Sequence, residues 1–305
     1  MKKFLILLLP LFVAHLFSCS SEDNNGSVVT EPVSVKVSFS GFDFSVVPDQ
    51  NFATSRASAA EAQVTCIAFK VFDENNKEFY AEKKTKGTNE NFDQINCELP
   101  AGKYTFVAVA HKAKTPSNGA ANIASPDKAV INDIMLYKST YATTMSVDIT
   151  RGEPKDVTMN FGKRITASFW LYITDPYPEE VDEVEIIIDP DQNVGTPNQY
   201  TFNPSTGFSF AKQSYTTNIY KKNTPNNSFI DGPMISCFLT ATEQVVNVKV
   251  NMKDSSGKLI RTRTFNAVTL KQNCTTKATG YFFTNSVSNG YTFDTTDDEE
   301  LSYAF

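Results

Sequence analysis

Short runs of alternating apolar and polar residues constrain the fold of this chain more than any other feature. From Val33 to Phe39 every second side chain is Val or Phe. The same period of two returns along the chain in runs separated by Gly, Pro, Asn and Asp, which is typical of half-buried β-strands joined by turns. No 11-residue window carries a helical stripe, so we predict a nearly all-β chain built from sandwiches.

The alternation also predicts individual strands. The apolar register changes face at Gly41, which indicates one long first strand bent by a β-bulge. In the first half the predicted strands are residues 33–47, 63–72, 78–81, 94–99, 103–110, 141–149 and 156–161. In the second half they are residues 165–173, 181–188, 234–240, 245–252, 259–265, 267–270 and 280–283. Residues 112–128 read as a loop.

The first residues have the features of an export signal. Lys2 and Lys3 precede an apolar run that is too short to span a bilayer. Its end, Leu16-Phe17-Ser18-Cys19, resembles a bacterial lipobox, and the following Ser20-Ser-Glu-Asp23 is similar to the acidic tag of surface lipoproteins of Bacteroidetes. An ordinary secretory signal with a cysteine near the cut is the alternative. We expect residues 1–18 to be a signal peptide, Cys19 to carry lipid, and residues 19–32 to be a flexible tether.

The length of the remaining chain favours two domains. Roughly 270 residues are left after the tether, which is large for one sandwich and ordinary for two domains. Glycine and proline residues interrupt the strand pattern between Gly152 and Gly162. We therefore predict an N-terminal sandwich over residues 33–157 and a C-terminal sandwich over residues 158–305.

The charge balance argues against nucleic acid as a partner. The chain has 28 Lys and Arg against 34 Asp and Glu, and loss of Lys2 and Lys3 with the signal leaves 26 against 34. Phosphate contacts need clustered basic residues, and the sequence has no such cluster.

Four cysteines remain when Cys19 is set aside, and they divide evenly between the two halves. An even number in an oxidising compartment is compatible with two disulfides, Cys66 with Cys97 and Cys237 with Cys274. Four buried thiols are the other interpretation, and both stay open here. No pair has the C-x-x-C spacing of a zinc site.

The sequence offers little catalytic chemistry. Only His111 survives signal removal, and no nucleophile motif accompanies it. The run from Asp189 begins like a calcium loop, but Val194 and Tyr200 stand where that loop needs glycine and glutamate. Trp170 and the 12 tyrosines offer surfaces on which sugars stack, but their places in the strand pattern favour the core. We expect no metal, no cofactor and no enzymatic activity.

Two segments resemble the fimbrillin superfamily of Bacteroidales, which comprises type V pilins, their lipoprotein anchors and related cell-adhesion proteins. They are Leu99-Pro-Ala-Gly-Lys-Tyr104-Thr-Phe-Val-Ala108, and Val268-Thr-Leu-Lys-Gln-Asn273-Cys-Thr-Thr276 with Gly280-Tyr-Phe282. The lipobox, the acidic tag and the long first strand precede them in the order typical of the family. The resemblance implies two tandem transthyretin-like β-sandwiches.

The resemblance also implies a function at the cell surface. It implies an outer-membrane lipoprotein that joins other fimbrial subunits by strand exchange and meets a host or bacterial surface ligand. In the pilins a protease cuts after an arginine in the first linker and releases the first strand, and Arg56 matches that position. Anchor subunits keep their lipid and their first strand. Residues 289–305 include Tyr291 and Phe293, which suit a donor strand. A glycan-binding surface lipoprotein of a nutrient-uptake system is the alternative.

Overall fold

The structure is a computed structural model that describes residues 31–41, 64–113, 119–132, 134, 136, 139–189, 199–220, 233–283 and 292–297. The strands of the first half are β1 Val33–Ser40, β2 Cys66–Asp73, β3 Glu78–Thr85, β4 Gln94–Leu99, β5 Gly102–His111, β6 Asn122–Ser125, β7 Lys128–Ile131, β8 Tyr141–Ile149 and β9 Lys155–Asn160. Those of the second half are β10 Ala167–Ile173, β11 Glu183–Ile188, β12 Tyr200–Phe202, β13 Tyr215–Tyr220, β14 Met234–Cys237, β15 Glu243–Lys253, β16 Leu259–Lys271, β17 Cys274–Gly280 and β18 Thr292–Asp297.

The first sandwich packs a three-stranded sheet on a four-stranded sheet. Their strand orders are β4-β1-β9 and β3-β2-β5-β8. The central strand β1 runs antiparallel to β4 and parallel to β9. Alternate residues of the two sheets meet in one core, represented by Val35, Val37, Phe69 and Phe106. The predicted period of two therefore corresponds to the buried face of each strand.

The second sandwich repeats this arrangement. Its sheets have the orders β14-β10-β17-β18 and β13-β11-β15-β16, and β10 again runs antiparallel to one neighbour and parallel to the other. The additional strand β18 pairs with β17. The prediction of an all-β chain of transthyretin-like sandwiches is confirmed. Within the described residues no helix is long and apolar enough to cross a membrane.

A small sheet connects the two halves of the chain. Its strand order is β12-β7-β6, so a strand of the second half pairs with a hairpin of the first, with Tyr200 opposite Ile131 and Phe202 opposite Ala129. The second core also contains side chains of β2 and β5, among them Val107. Both faces of the β3-β2-β5-β8 sheet are thus buried in part. The division between residues 157 and 158 stays a prediction.

Several predicted boundaries were wrong for identifiable reasons. Residues 112–128 are not one loop, because the short strand β6 forms there against β7. The two strands predicted over residues 259–270 are one strand, β16, since a bulge at Ala267, which has a φ of 55°, absorbs the change of register. The strand predicted over residues 280–283 is wrong, because Gly280 is the last residue of β17 and residues 281–283 lie outside any strand.

Candidate functional site: the first strand and its groove

The first strand lies in the middle of its sheet, where it bonds to neighbours on both sides. Its register aligns Val35 with Cys97 of β4 and with Lys155 of β9. Val33, Val35, Val37 and Phe39 are buried, and the residues between them are exposed or half-buried. Removal of β1 would therefore expose an apolar groove and two unpaired backbone edges together.

Phe39 links the strand to both sheets. Its ring lies 5.9 Å from that of Phe69 on β2 and 5.8 Å from that of Phe161, which follows β9. The backbone N–H of Phe161 donates to the carbonyl of Ser40 at 3.0 Å. The end of the groove is thus its most aromatic part.

Gly41 ends the described part of the strand in a conformation that favours glycine. Its φ is 95°, and a Cβ there would lie 2.2 Å from Oδ1 of Asn160 and 2.6 Å from the backbone N of Gly162. The prediction for Gly41 named a bulge but did not identify these neighbours, which are remote in sequence. Residues 42–47 of the predicted first strand lie outside the described residues.

In the second sandwich, the backbone of Phe282 and Phe283, which follow β17, bonds to three charged side chains. The Asp175 carboxylate accepts the backbone N–H groups of Phe282 and Phe283 at 2.8 and 2.5 Å. Arg263 donates to the Phe282 carbonyl at 3.0 Å, and Arg261 donates to the Phe283 carbonyl. We call these three side chains the C-terminal clamp. No local sequence pattern indicates the clamp, because Asp175 stands more than 100 residues from the two backbone N–H groups that donate to it.

The predicted lipid and processing sites lie outside the part of the chain that the structure describes. These are Cys19 and Arg56, together with the signal peptide and the tether. The predicted donor segment, residues 289–305, is described only where it forms β18, which pairs with β17 of its own chain.

The other four cysteines are buried thiols in the structure. Burial, with a smaller contribution from the charge of Glu82, raises the pKa of Cys97 to about 11. Burial also raises the pKa of Cys237, and the charge of Asp189 adds to the effect. These two thiols therefore stay protonated at neutral pH and are poor nucleophiles.

The strand geometry does not favour the predicted disulfides. Cys66 lies on the same face of β2 as Ala68, which belongs to the second core, whereas Cys97 belongs to the first. Cys237 and Cys274 lie on strands separated by β10. Two strand spacings amount to about 9–10 Å, beyond the reach of about 7 Å that a disulfide allows between Cα atoms. The pairing stays a prediction without structural support.

The remaining polar candidates are part of the fold. His111 is buried at the end of β5, so it is a strand-end histidine rather than a surface one. Asp189 accepts the backbone N–H of Asn247 at 2.9 Å. Among the described residues, no group of three His, Cys, Asp or Glu side chains is placed to hold a metal ion.

Comparison with known proteins identifies the family. The model of the family described as "Fimbrillin-A associated anchor proteins Mfa1 and Mfa2" matches residues 23–193, more than half of the 305 residues. The chain belongs to this family. The match covers the whole first sandwich and extends past β11 of the second. No curated protein matches the chain.

Solved structures of fimbrial proteins from Porphyromonas gingivalis are similar over most of the chain. The fimbrial anchor protein Mfa2 is 12% identical, with a TM-score of 0.41, over 86% of this chain and 95% of that one. The tip fimbrial protein Mfa3 with C-terminal truncation is 11% identical, with a TM-score of 0.45, over 87% of this chain and 99% of that one.

Proposed function

We propose that this protein is a surface-exposed lipoprotein of the outer membrane that anchors a type V fimbrium and thereby serves cell adhesion. The observation that carries the proposal is the family match, which begins at residue 23 and continues through the first sandwich. Its partners are other fimbrial subunits. A cell-surface position agrees with the description of the family as fimbrial anchor proteins.

Lipid on Cys19 is the proposed attachment to the membrane. The lipobox-like sequence ends at that cysteine, and the polar residues 20–32 connect it to β1. We place the N-terminal sandwich at residues 33–157 and the C-terminal sandwich at residues 158–305, so the tether enters the first sandwich directly.

Strand exchange is the proposed mode of assembly. The support for it is the position of β1, which occupies a central place in its sheet with four buried apolar side chains. A strand of another subunit that fills such a groove gains backbone hydrogen bonds on two sides and buries apolar side chains. Cleavage at Arg56 would release β1 in a pilin, whereas an anchor keeps β1 and its lipid. We propose the uncut anchor.

The N-terminus of the protein recovered from cells tests this proposal. We expect palmitate labelling that is lost in Cys19→Ser and kept in Cys66→Ser, with an intact Arg56. Deletion of the protein is expected to release fimbriae into the medium. An N-terminus at Ala57 would instead identify a processed pilin, and unchanged fimbrial attachment after deletion would contradict the anchor function.

We propose no catalytic role for this protein, in keeping with the description of its family as anchor proteins.

A second function, glycan binding at the cell surface, is favoured by one observation. An exposed aromatic residue and a lysine meet the only tryptophan of the chain on the outer face of the second sandwich.

A further inference from the structure

Phe79 is the one strongly exposed large hydrophobic residue among the described residues of the first sandwich, at 46%. It lies near the beginning of β3, which is an edge strand of its sheet. Its ring meets the ring of Tyr104 edge-on, with the centroids 5.6 Å apart. Tyr104 is buried, and its hydroxyl donates to the Pro100 carbonyl at 3.0 Å. The exposed ring is therefore held against a fixed neighbour.

The exposed ring lies at the end of the first sandwich where β1 begins. Asp73, the last residue of β2, pairs with Tyr104, and the turn that follows leads directly into β3. On the other sheet, Val33 at the start of β1 pairs with Leu99, which stands next to Pro100 in the chain. The proposed tether therefore joins the sandwich at the same end as the exposed ring.

The proposed tether is short in comparison with the sandwich. Residues 20–32 separate Cys19 from Val33, and a flexible chain of that length has an end-to-end distance of about 20 Å. The eight residues of β1 span about 26 Å. Lipid on Cys19 would therefore keep this end of the sandwich nearer to the membrane than the opposite end. A short tether also gives a high effective concentration, so a weak contact with the surface is sufficient.

The charges at this end balance almost completely. The three turns that lie there, residues 73–78, 100–103 and 150–155, carry four basic and four acidic side chains. The basic ones are Lys77, Lys103, Arg151 and Lys155, and the acidic ones are Asp73, Glu74, Glu78 and Glu153. Glu31, next to β1, adds one negative charge. The acidic excess of the chain thus lies mostly elsewhere, and this end is repelled least by an anionic surface.

We propose that the end of the first sandwich that carries Phe79 rests on the membrane surface, with the Phe79 ring in the lipid interface. An aromatic ring surrounded by balanced charges suits the boundary between headgroups and acyl chains. The proposal rests on the proposed lipid attachment at Cys19 and names the surface that faces the membrane. The second sandwich is then directed away from the lipid and stays accessible to other fimbrial subunits.

Quenching by brominated lipid tests the contact. The chain from Cys19 onward is coupled through that thiol to a maleimide phospholipid in phosphatidylcholine vesicles, since the other four cysteines are buried. Two reporters are compared in a Trp170→Phe background: Phe79→Trp, and Thr88→Trp beyond the other end of β3, at least about 20 Å away. We expect brominated acyl chains to quench the emission from position 79 and to leave that from position 88 unchanged. Equal quenching of both positions, or of neither, would overturn the proposal.

Hydrogen exchange of the coupled chain measures the contact without a reporter. We expect vesicles to slow exchange in residues 73–78 of the wild type. Phe79→Ser should remove this effect, because burial of a phenylalanine ring favours the contact about tenfold or more. Phe210→Ser, which removes a ring that is 59% exposed in the second half of the chain, is the matched control and should keep it.

Salt separates an apolar contact from an electrostatic one. Because the charges at this end balance, raising sodium chloride from about 0.1 M to about 1 M should leave the slowed exchange unchanged. Slowed exchange that persists in Phe79→Ser, or that disappears in salt, would overturn the apolar contact. The maleimide supplies the attachment, so these results do not depend on lipidation in cells. Absent palmitate labelling of Cys19 would contradict the proposed anchor, whereas absent quenching would overturn only the membrane-facing end.

Discussion

At the scale of single residues, Gly41 decides how the first strand ends. Its φ of 95° lies in the region that side chains disfavour, and the space for a Cβ is taken by Asn160 and Gly162. Gly152 shares the positive φ, at 76°, but a Cβ there would meet nothing within 4 Å. Substitution of Gly152 therefore introduces backbone strain alone, whereas substitution of Gly41 introduces both strain and a steric collision.

We expect Gly41→Ala to lower the free energy of unfolding by about 2–4 kcal/mol, because strain and collision add. Gly152→Ala is expected to cost only the strain, about 1 kcal/mol. Urea denaturation of both variants measures the difference. Equal losses would mean that the neighbours of Gly41 move aside without cost.

The buried cysteines give a second prediction at this scale. In a Cys19→Ser variant at pH 8, we expect iodoacetamide to modify none of the four remaining cysteines in the folded protein, because all are buried. In denaturant without reductant it should modify all four, as mass spectrometry would show. Modification that needs a reductant would instead demonstrate disulfides.

The raised pKa of Cys97 predicts how stability changes with pH. A thiol with a pKa of about 11 in the folded state and about 8.5 in the unfolded state binds its proton more tightly when folded. Its contribution is complete below about pH 8.5 and is lost as the pH rises towards 11. Urea denaturation should therefore show a steeper alkaline loss of stability in the wild type than in Cys97→Ala.

At the scale of elements, β1 contributes to the first core through alternate side chains. Val37 is fully buried, and Lys36 next to it is exposed. We expect Val37→Ala to lower the free energy of unfolding by about 2–3 kcal/mol, and Lys36→Ala to change it by less than about 0.5 kcal/mol. Chemical denaturation measures both. Equal effects would mean that β1 is not packed as the structure describes.

We expect the C-terminal clamp to stabilise β18. Asp175→Ala leaves two backbone N–H groups without their acceptor, which costs about 1–3 kcal/mol for each buried group. We expect faster hydrogen exchange in the strand Thr292–Asp297 with little change in β1. Asp156→Ala, on the exposed face of β9, is the control. Unchanged exchange in β18 would show that the clamp does not hold that strand.

At the scale of the whole molecule, the small β12-β7-β6 sheet couples the halves. Phe202 of β12 is buried in the second core, which also takes in side chains of β2 and β5. Truncation of a buried phenylalanine costs about 3–5 kcal/mol, so we expect Phe202→Ala to lower the stability of both sandwiches. Phe210→Ala, at a position that is 59% exposed, is the matched control.

Hydrogen exchange resolved by strand measures this coupling. We expect β5 and β15 to lose protection together in Phe202→Ala, and circular dichroism and Trp170 emission to follow one coincident transition. Loss of protection confined to β15 would mean that the two sandwiches unfold independently.

The sequence by itself determined the all-β class and the positions of many strands. Those properties depend on the period of two, which each segment carries locally: the predicted strands over residues 94–99 and 141–149 agree with β4 and β8 to the residue. Polar turns can also be predicted from the sequence, because their hydrogen bonds are local: Asp73 accepts the backbone N–H groups of Asn75 and Lys77 within one turn. Local signals of this kind do not depend on distant partners.

Only the tertiary structure decided which segments meet. The pairing of β7 with β12, the contact of Gly41 with Asn160, and the clamp of Asp175 on Phe282 all join residues far apart in the chain. The contact of Lys277 with the ring of Trp170 is an intermediate case, because alternation places Trp170 outward but only the parallel pairing of β10 with β17 brings Lys277 to it. Alternation fixes the face of a side chain, whereas its neighbours depend on strand order, which a local pattern does not encode.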